Sequence, residues 1–266
     1  MKGSLDFMEM IKPETIVLFT LVLVRIGGIF LASPMLSNSA VPRRVKLAIT
    51  IACTFLLLPI LKVPPLDQVK TEIGLIVLIL QELTIGVVLG FAASVVFSAI
   101  QSAGEIFGTQ IGFSIATVFD PANEGSAGVL TSLYVILGAL IFLYLDGHHV
   151  ILTAMAKSFE VLPISKGFGF GVGMEISHLT ARLFLIAIQV AAPVTVVMTI
   201  LSIIFGLLTK LSPQMNVYMN LGFILGPMVG MVILLLSLPL FRVVMTSLTQ
   251  GMAPDLLKVM KELKGI

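Results

Sequence analysis

Apolar residues fall in six runs, at about residues 16–33, 45–61, 73–103, 128–156, 182–209 and 218–245. A helix that crosses the ~30 Å hydrocarbon core of a bilayer needs about 20 apolar residues. Most of the runs are long enough. The second is marginal, because Lys46 interrupts its start and Pro59 falls near its end. No run shows the period-2 alternation of a barrel strand, and backbone groups in lipid must be satisfied within a helix or a closed barrel. The pattern therefore predicts an all-α fold of hydrophobic, membrane-associated helices.

Three stretches depart from it. Gly108–Gly128, GTQIGFSIATVFDPANEGSAG, holds too much Gly, Ser and Thr to face lipid, yet Ile111, Phe113, Ile115, Val118 and Phe119 are too apolar for an ordinary water-exposed loop. SPQMNVYMNLGF places Pro213, Gln214, Asn216 and Asn220 in the last apolar region. This is either a polar break surrounded by protein or water or a short loop between spans. After Gly251 the residues predict a separate short helix with Pro254 at its first position, where the missing N–H costs nothing. Its apolar side, Leu256, Leu257, Met260 and Leu263, opposes Lys258, Lys261, Glu262 and Lys264 and suits a membrane surface or a partner. The expected organisation is one hydrophobic helical domain over 1–250 and an amphipathic helix over 251–266.

Small residues recur every fourth position in three rows: Gly86, Gly90, Ser94, Ser98 and Ser102; Gly104, Gly108 and Gly112; Gly222, Gly226 and Gly230. Such rows let helix backbones approach closely, either within the chain or between subunits. Three rows in one short chain favour dense assembly.

Composition supports burial in lipid, in partners, or in both. Of 266 residues 58% are hydrophobic and 11% charged, against about 45–50% and 25% in soluble domains; mean hydropathy is +1.12. The net charge of +2, with no basic cluster interleaved with aromatics, argues against nucleic acid. Cys53 is the only cysteine, which excludes an intrachain disulfide and a cysteine metal cluster. Lys2, Asp6, Glu9, Lys12 and Glu14 mix both signs before the first run, unlike the basic start of a cleaved signal peptide, so that run reads as a retained helix. Arg43, Arg44 and Lys46 would place the first connection in the cytoplasm, yet six spans would then put Lys258, Lys261 and Lys264 outside. There is no Trp, and Tyr134, Tyr144 and Tyr218 alone could form an aromatic belt. Much of the chain is accordingly expected to pack in protein rather than in lipid.

Candidate chemistry is sparse. Arg25 and Glu82 lie inside apolar runs, where a charge costs about 2.5–3.5 kcal/mol at a helix centre. They mark either an ion pathway or a buried polar contact. No Asp/Glu/His chain links them, which favours packing. His148 and His149 follow Asp146, but adjacent residues cannot form the i, i+4 couple of H-E-x-x-H, so Asp146 is expected to cap a helix start. Gly167–Gly173, GFGFGVG, lacks phosphate-loop spacing and reads as a flexible link. Ser39, Ser126 and Ser158 sit in no G-x-S-x-G context. The residues predict no enzyme, no cofactor and no metal.

RIGGIFLASPMLSNSAVPRRVK, QELTIGVVLGF, AGEIFGTQIGFSIATVFDP, GHHVILTAMAKSF, AAPVTVVM and SPQMNVYMNLGF together resemble the FliR/SctT family of type III secretion export-gate proteins. The most specific elements are P-Q-x-N-V (Pro213–Val217) and Q-x-G…D-P (Gln110, Gly112, Asp120, Pro121). One departure is local: the family often continues G-F-P-L-K, whereas here Gly222 and Phe223 precede Ile224, Leu225 and Gly226.

The resemblance implies a non-enzymatic subunit that builds the flagellar export gate with FliP- and FliQ-like subunits, in association with an FlhB-like protein. It would sit in the bacterial inner membrane at the basal body and pass unfolded flagellar proteins. Long, kinked helical hairpins would pack in a helical hetero-oligomer lying largely above the membrane plane. Gly86, Gly90, Ser94, Gly104, Pro213, Gln214, Asn216, Gly222, Gly226 and Gly230 would then serve subunit packing. The resemblance also implies that the loop at Gly108, Gln110, Ile111, Gly112, Phe113, Ile115, Val118, Phe119, Asp120 and Pro121 plugs the closed channel. Its bulky apolar residues suit a dry constriction, while its glycines and Asp-Pro turn give freedom and a stop. A re-entrant packing segment is the alternative. Alternative functions are the equivalent subunit of a virulence injectisome or a stand-alone small-solute or ion carrier, although no inverted repeat of the kind carriers use is evident.

Overall fold

The computed structural model describes residues 13–33, 42–61, 72–112, 128–164, 172–211 and 222–264. Among them are seven α-helices and no strand: α1 Pro13–Ala32, α2 Arg43–Leu57, α3 Glu72–Ile111, α4 Val129–Tyr144, α5 Gly147–Val161, α6 Val172–Leu211 and α7 Phe223–Lys264. The all-α expectation holds. Four of these helices, α1, α3, α6 and α7, are long and apolar enough to cross a membrane, and α4 with α5 would make a fifth as one bent pair. The marginal second run gives only the 15-residue α2.

Local chemistry explains several boundaries. Pro13 opens α1 and Glu14 stands in its first turn, complementing the unbonded N–H groups there. α4 stops where Leu145 and Asp146 donate their N–H groups back to Ile141 and Leu143 at 3.0 and 3.1 Å. Asp146 then takes a left-handed φ of 56°, which short polar side chains tolerate best. The Phe142 ring fills the space a side chain at Gly147 would need, so the expected single run at 128–156 is two helices. α6 carries Pro193 inside it, losing one ladder bond.

The last 42 described residues form one uninterrupted helix, which corrects the expectation of a separate helix after Gly251. Pro254 lies within it. The apolar side of the tail is also not free for a membrane surface or a partner. Leu256, Val259, Met260 and Leu263 are buried, and Leu256 and Met260 adjoin Ile29, Leu89 and Met155 around a small apolar void.

The chain divides into two compact units, not the expected single body up to residue 250. Unit 1 takes 1–95, 148–180 and 251–266; unit 2 takes 96–147 and 181–250.

Within unit 1, α1 and α3 meet backbone to backbone. Gly28 faces Gly86; a Cβ at Gly86 would overlap the Arg25 carbonyl, and one at Gly90 would stand 2.5 Å from the Ile29 carbonyl oxygen. The close approach lets Arg25 Nε donate to Glu82 Oε2 at 2.5 Å, with both side chains fully buried. Arg25 Nη1 donates to the carbonyls of Ser158 (3.1 Å) and Leu162 (2.9 Å) at the end of α5. Its Cζ lies 4.4 Å over the Phe159 ring, a favourable cation–π position. Arg25 Nη2 and Glu82 Oε1 have no protein partner among the described residues, so the pair is monodentate. α2 packs on α1, with the Phe19 and Phe55 rings 5.0 Å apart. Unusually, α2 buries Thr50 and Thr54 and exposes Leu47, Ile51 and Leu56. The hydroxyls bond to Lys46 and Thr50 carbonyls one turn back, which satisfies them and leaves methyl groups to pack.

Unit 2 uses the same device. A Cβ at Gly104 would stand 2.6 Å from Thr131 Cα, and one at Gly138 2.9 Å from Ile100 Cδ1. Tyr134 packs its ring 4.6 Å from Phe107 and 4.9 Å from Phe241, with its hydroxyl 3.2 Å from Ser237 Oγ. It is a core residue rather than part of an aromatic belt.

Three outcomes follow for the chain in detergent. Arg25→Met leaves Glu82 buried without its partner and lowers unfolding stability by roughly 3–5 kcal/mol, whereas Arg25→Met with Glu82→Leu recovers most of the loss; denaturant midpoints of the three proteins check this. Gly90→Val, which has no room, costs roughly 1–3 kcal/mol through overpacking. Gly206, on α6, has nothing within 4 Å of a built Cβ, and Gly206→Ala gains about 0.5–1 kcal/mol in the same assay.

Candidate functional site

Of the residues expected to plug a channel, Phe113, Ile115, Val118, Phe119, Asp120 and Pro121 lie outside the described residues. The root of that segment is described, and it corrects the sequence boundary. α3 continues through Gly104 and Gly108 to Ile111, because Leu, Ile, Val and Ala fill it and no proline interrupts. Gly112 then adopts φ +92° and its N–H reaches back 3.3 Å to the Thr109 carbonyl, the left-handed glycine stop common at helix ends. The backbone freedom expected of Gly112 is thus used to end the helix.

Ile111 is not a free plug residue. It is buried, and Gly230 of α7 makes room for it: a Cβ there would stand 2.6 Å from Ile111 Cγ1. Gly226 faces the Ile111 carbonyl and Met198 at ordinary contact distance. The start of α7 therefore clamps the end of α3, and the segment leaves from a fixed point in unit 2. Gly108 has open space beside it, and Gln110 is exposed.

The residues expected to pack subunits divide in the same way. Gly86, Gly90, Gly104 and Gly230 meet the chain's own helices, as above, so their small size serves the intramolecular contact. Ser94 is buried and donates to the Phe91 carbonyl at 2.7 Å. Gly222 precedes α7; Pro213, Gln214 and Asn216 lie outside the described residues. Arg25 and Glu82 form the unit 1 clasp. Sequence reasoning missed three partners: Gly28 opposite Gly86, Thr131 opposite Gly104, and the α5 carbonyls that receive Arg25. Only Gly28, in R-I-G-G, carried a visible small-residue signal. The rings of His148 and His149 lie 4.2 Å apart, closer than the separate faces expected of neighbours.

Beside this root, unit 2 has an open groove of about 330 Å³ between α3 and α6, with Ser102, Glu105 and Thr109 on one wall and Phe184 and Ile188 on the other. Burial is also uneven along the long helices. The most apolar window of α3 is 67% buried inside the chain, whereas those of α6 and α7 are each 28% buried.

Related proteins place the chain in a family. The sequence profile of the bacterial export proteins, family 1, matches residues 16–252. The flagellar biosynthetic protein FliR of Escherichia coli (strain K12) is 32% identical over 173 residues, 65% of this chain and 66% of that protein. Those of Bacillus subtilis (strain 168) and Aquifex aeolicus (strain VF5) are 26% and 28% identical over 180 and 184 residues, 66% and 69% of this chain and 69% and 70% of theirs. The chain thus spans just under two thirds of the Escherichia coli relative. The profile match runs from the clasp helix α1, through the glycine contacts of α3, and well into α7, and the chain belongs to the bacterial export proteins, family 1.

Proposed function

We propose that this chain is a non-enzymatic subunit of the flagellar type III protein export gate in the bacterial inner membrane. It assembles with FliP- and FliQ-like subunits, in association with an FlhB-like protein, around a channel for unfolded flagellar proteins. The observation that carries this reading is the burial asymmetry within one family member. α6 and α7 are 40 and 42 residues long, roughly 60 Å at 1.5 Å per residue, or about twice the ~30 Å hydrocarbon core. Lipid covers only part of such a length, and Phe184, Ile188, Leu207, Leu235, Leu236 and Val243 remain exposed along it. Apolar subunits would cover the remainder. The relatives' flagellar names favour the flagellar gate over its injectisome counterpart.

The plug begins beyond Gly112 in this reading. Ile111 anchors it, and Phe113, Ile115, Val118 and Phe119 exclude water and ions from the lumen.

Two experiments test the reading. Deleting the gene abolishes flagellin secretion and motility, and the tagged chain co-purifies with FliP- and FliQ-like subunits; a deletion strain that still swims overturns the gate assignment. Removing Gly112–Val118, or combining Phe113→Ala with Phe119→Ala, leaves assembly intact and makes the complex conduct ions in planar bilayers. An assembled variant as tight as the parent overturns the plug.

A further inference from the structure

The most apolar window of α3 is 67% buried, but one edge of the helix's last turns is exposed and polar. Gln101, Glu105 and Thr109, spaced i, i+4 and i+8, are exposed on that edge and sit on one face of the helix. Glu105 forms no ion pair among the described residues. Among the described residues its hydrogen-bond contact is Gln101 Nε2 at 3.5 Å, too far for a firm bond. The opposite wall of the groove is apolar, with Phe184 and Ile188 more than half exposed. Ile106 on α3 and the small Ala187 on α6 complete its lining. Next to Ile188, Gln189 is exposed as well, and its carbonyl loses the N–H that Pro193 lacks.

Neither simple solvent fits this groove. Water would solvate Glu105 but leave Phe184 and Ile188 uncovered. Lipid tails would cover the rings and strand a carboxylate, and anionic headgroups would repel it. A helix fits both walls if it is apolar and bears one cation. It would lie in the groove as amphipathic helices lie in apolar clefts, with the small Ala187 of α6 easing close approach.

We propose that the α3–α6 groove of unit 2 receives an apolar helix of another polypeptide, with a lysine or arginine set against Glu105. Charge complementarity chooses this occupant over a purely apolar helix, because a carboxylate covered without a cation would oppose docking. The proposal deepens the export-gate reading, in which apolar subunits already cover Phe184 and Ile188, by naming the chemistry of the occupant at this groove.

The test places a benzophenone amino acid at Thr109 or at Ile188 of the full chain in native membranes, and identifies the photoadducts by mass spectrometry. The expected adduct from both positions is one apolar protein segment with a Lys or Arg within a helical turn of the linked residue. Glu105→Gln, which keeps size and loses charge, should lower the yield from Ile188 about ten-fold or more, the range of a lost charged contact. Glu105→Lys should abolish the adduct, with partial recovery when the partner's cation is changed to glutamate. Adducts to lipid alone, to a segment without a cation, or a yield unchanged by Glu105→Gln overturn the proposal. If Glu105→Lys loses the chain itself, the isosteric Gln variant decides alone. A linked FliP- or FliQ-like subunit supports both this docking and the gate. A different partner with such a helix supports the docking and counts against the gate.

Discussion

The contact between the α1 and α3 backbones sets the geometry of unit 1. With no side chains at Gly28, Gly86 and Gly90, the two helices approach until a Cβ at Gly86 or Gly90 would run into the Arg25 or Ile29 carbonyl. Only at that separation do the Arg25 and Glu82 side chains meet directly while remaining sealed from solvent. The order of cause matters. The glycines bring the helices together, and the charges then fix which residues sit opposite, because any other register leaves two ions buried and apart. The carbonyls of Ser158 and Leu162 complete the arrangement, since helix ends carry unbonded acceptors and a partial negative charge that suit a guanidinium.

Unit 2 repeats the principle with neutral groups. Gly104 on Thr131, Gly138 on Ile100 and Gly230 on Ile111 each replace a side chain by a neighbour's bulk. Where unit 1 seals a charge pair, unit 2 seals Tyr134 and Ser237. In both cases the buried polar side chains are few and bond to one another, although Arg25 Nη2 and Glu82 Oε1 stay without a partner among the described residues. Apolar area left on α6 and α7 is thus surplus to what the chain needs to fold.

Much of this was legible in the sequence, and its failures have physical causes. The runs gave helices because their length and lack of alternation leave little else. The ends of α3 and α7 were misjudged because glycine and proline are weak breakers in an apolar helix that tertiary contacts hold. Gly104, Gly108 and Pro254 all lie within continuous helix. The glycine rows announced close approach, but spacing alone cannot say whether the neighbour belongs to the same chain. Ile111 read as a plug residue because its neighbours in sequence are loop-like; only the α7 glycine opposite it explains its burial. The Arg25–Glu82 pair was visible as two misplaced charges, whereas its third partner, the end of α5, has no signature because backbone carbonyls are present everywhere.

The continuity of α7 bears on the order in which the molecule can be made. Unit 1 is assembled from residues before 96, from 148–180 and from beyond 250, and Leu256 and Met260 close over Ile29 and Leu89. At roughly 5–20 residues per second of synthesis, α1 emerges on the order of ten to forty seconds before the residues that cover it. During that interval its apolar surface needs a temporary cover, from lipid or from the insertion machinery. Unit 1 is consequently a product of late closure, finished only after the intervening helices have been laid down.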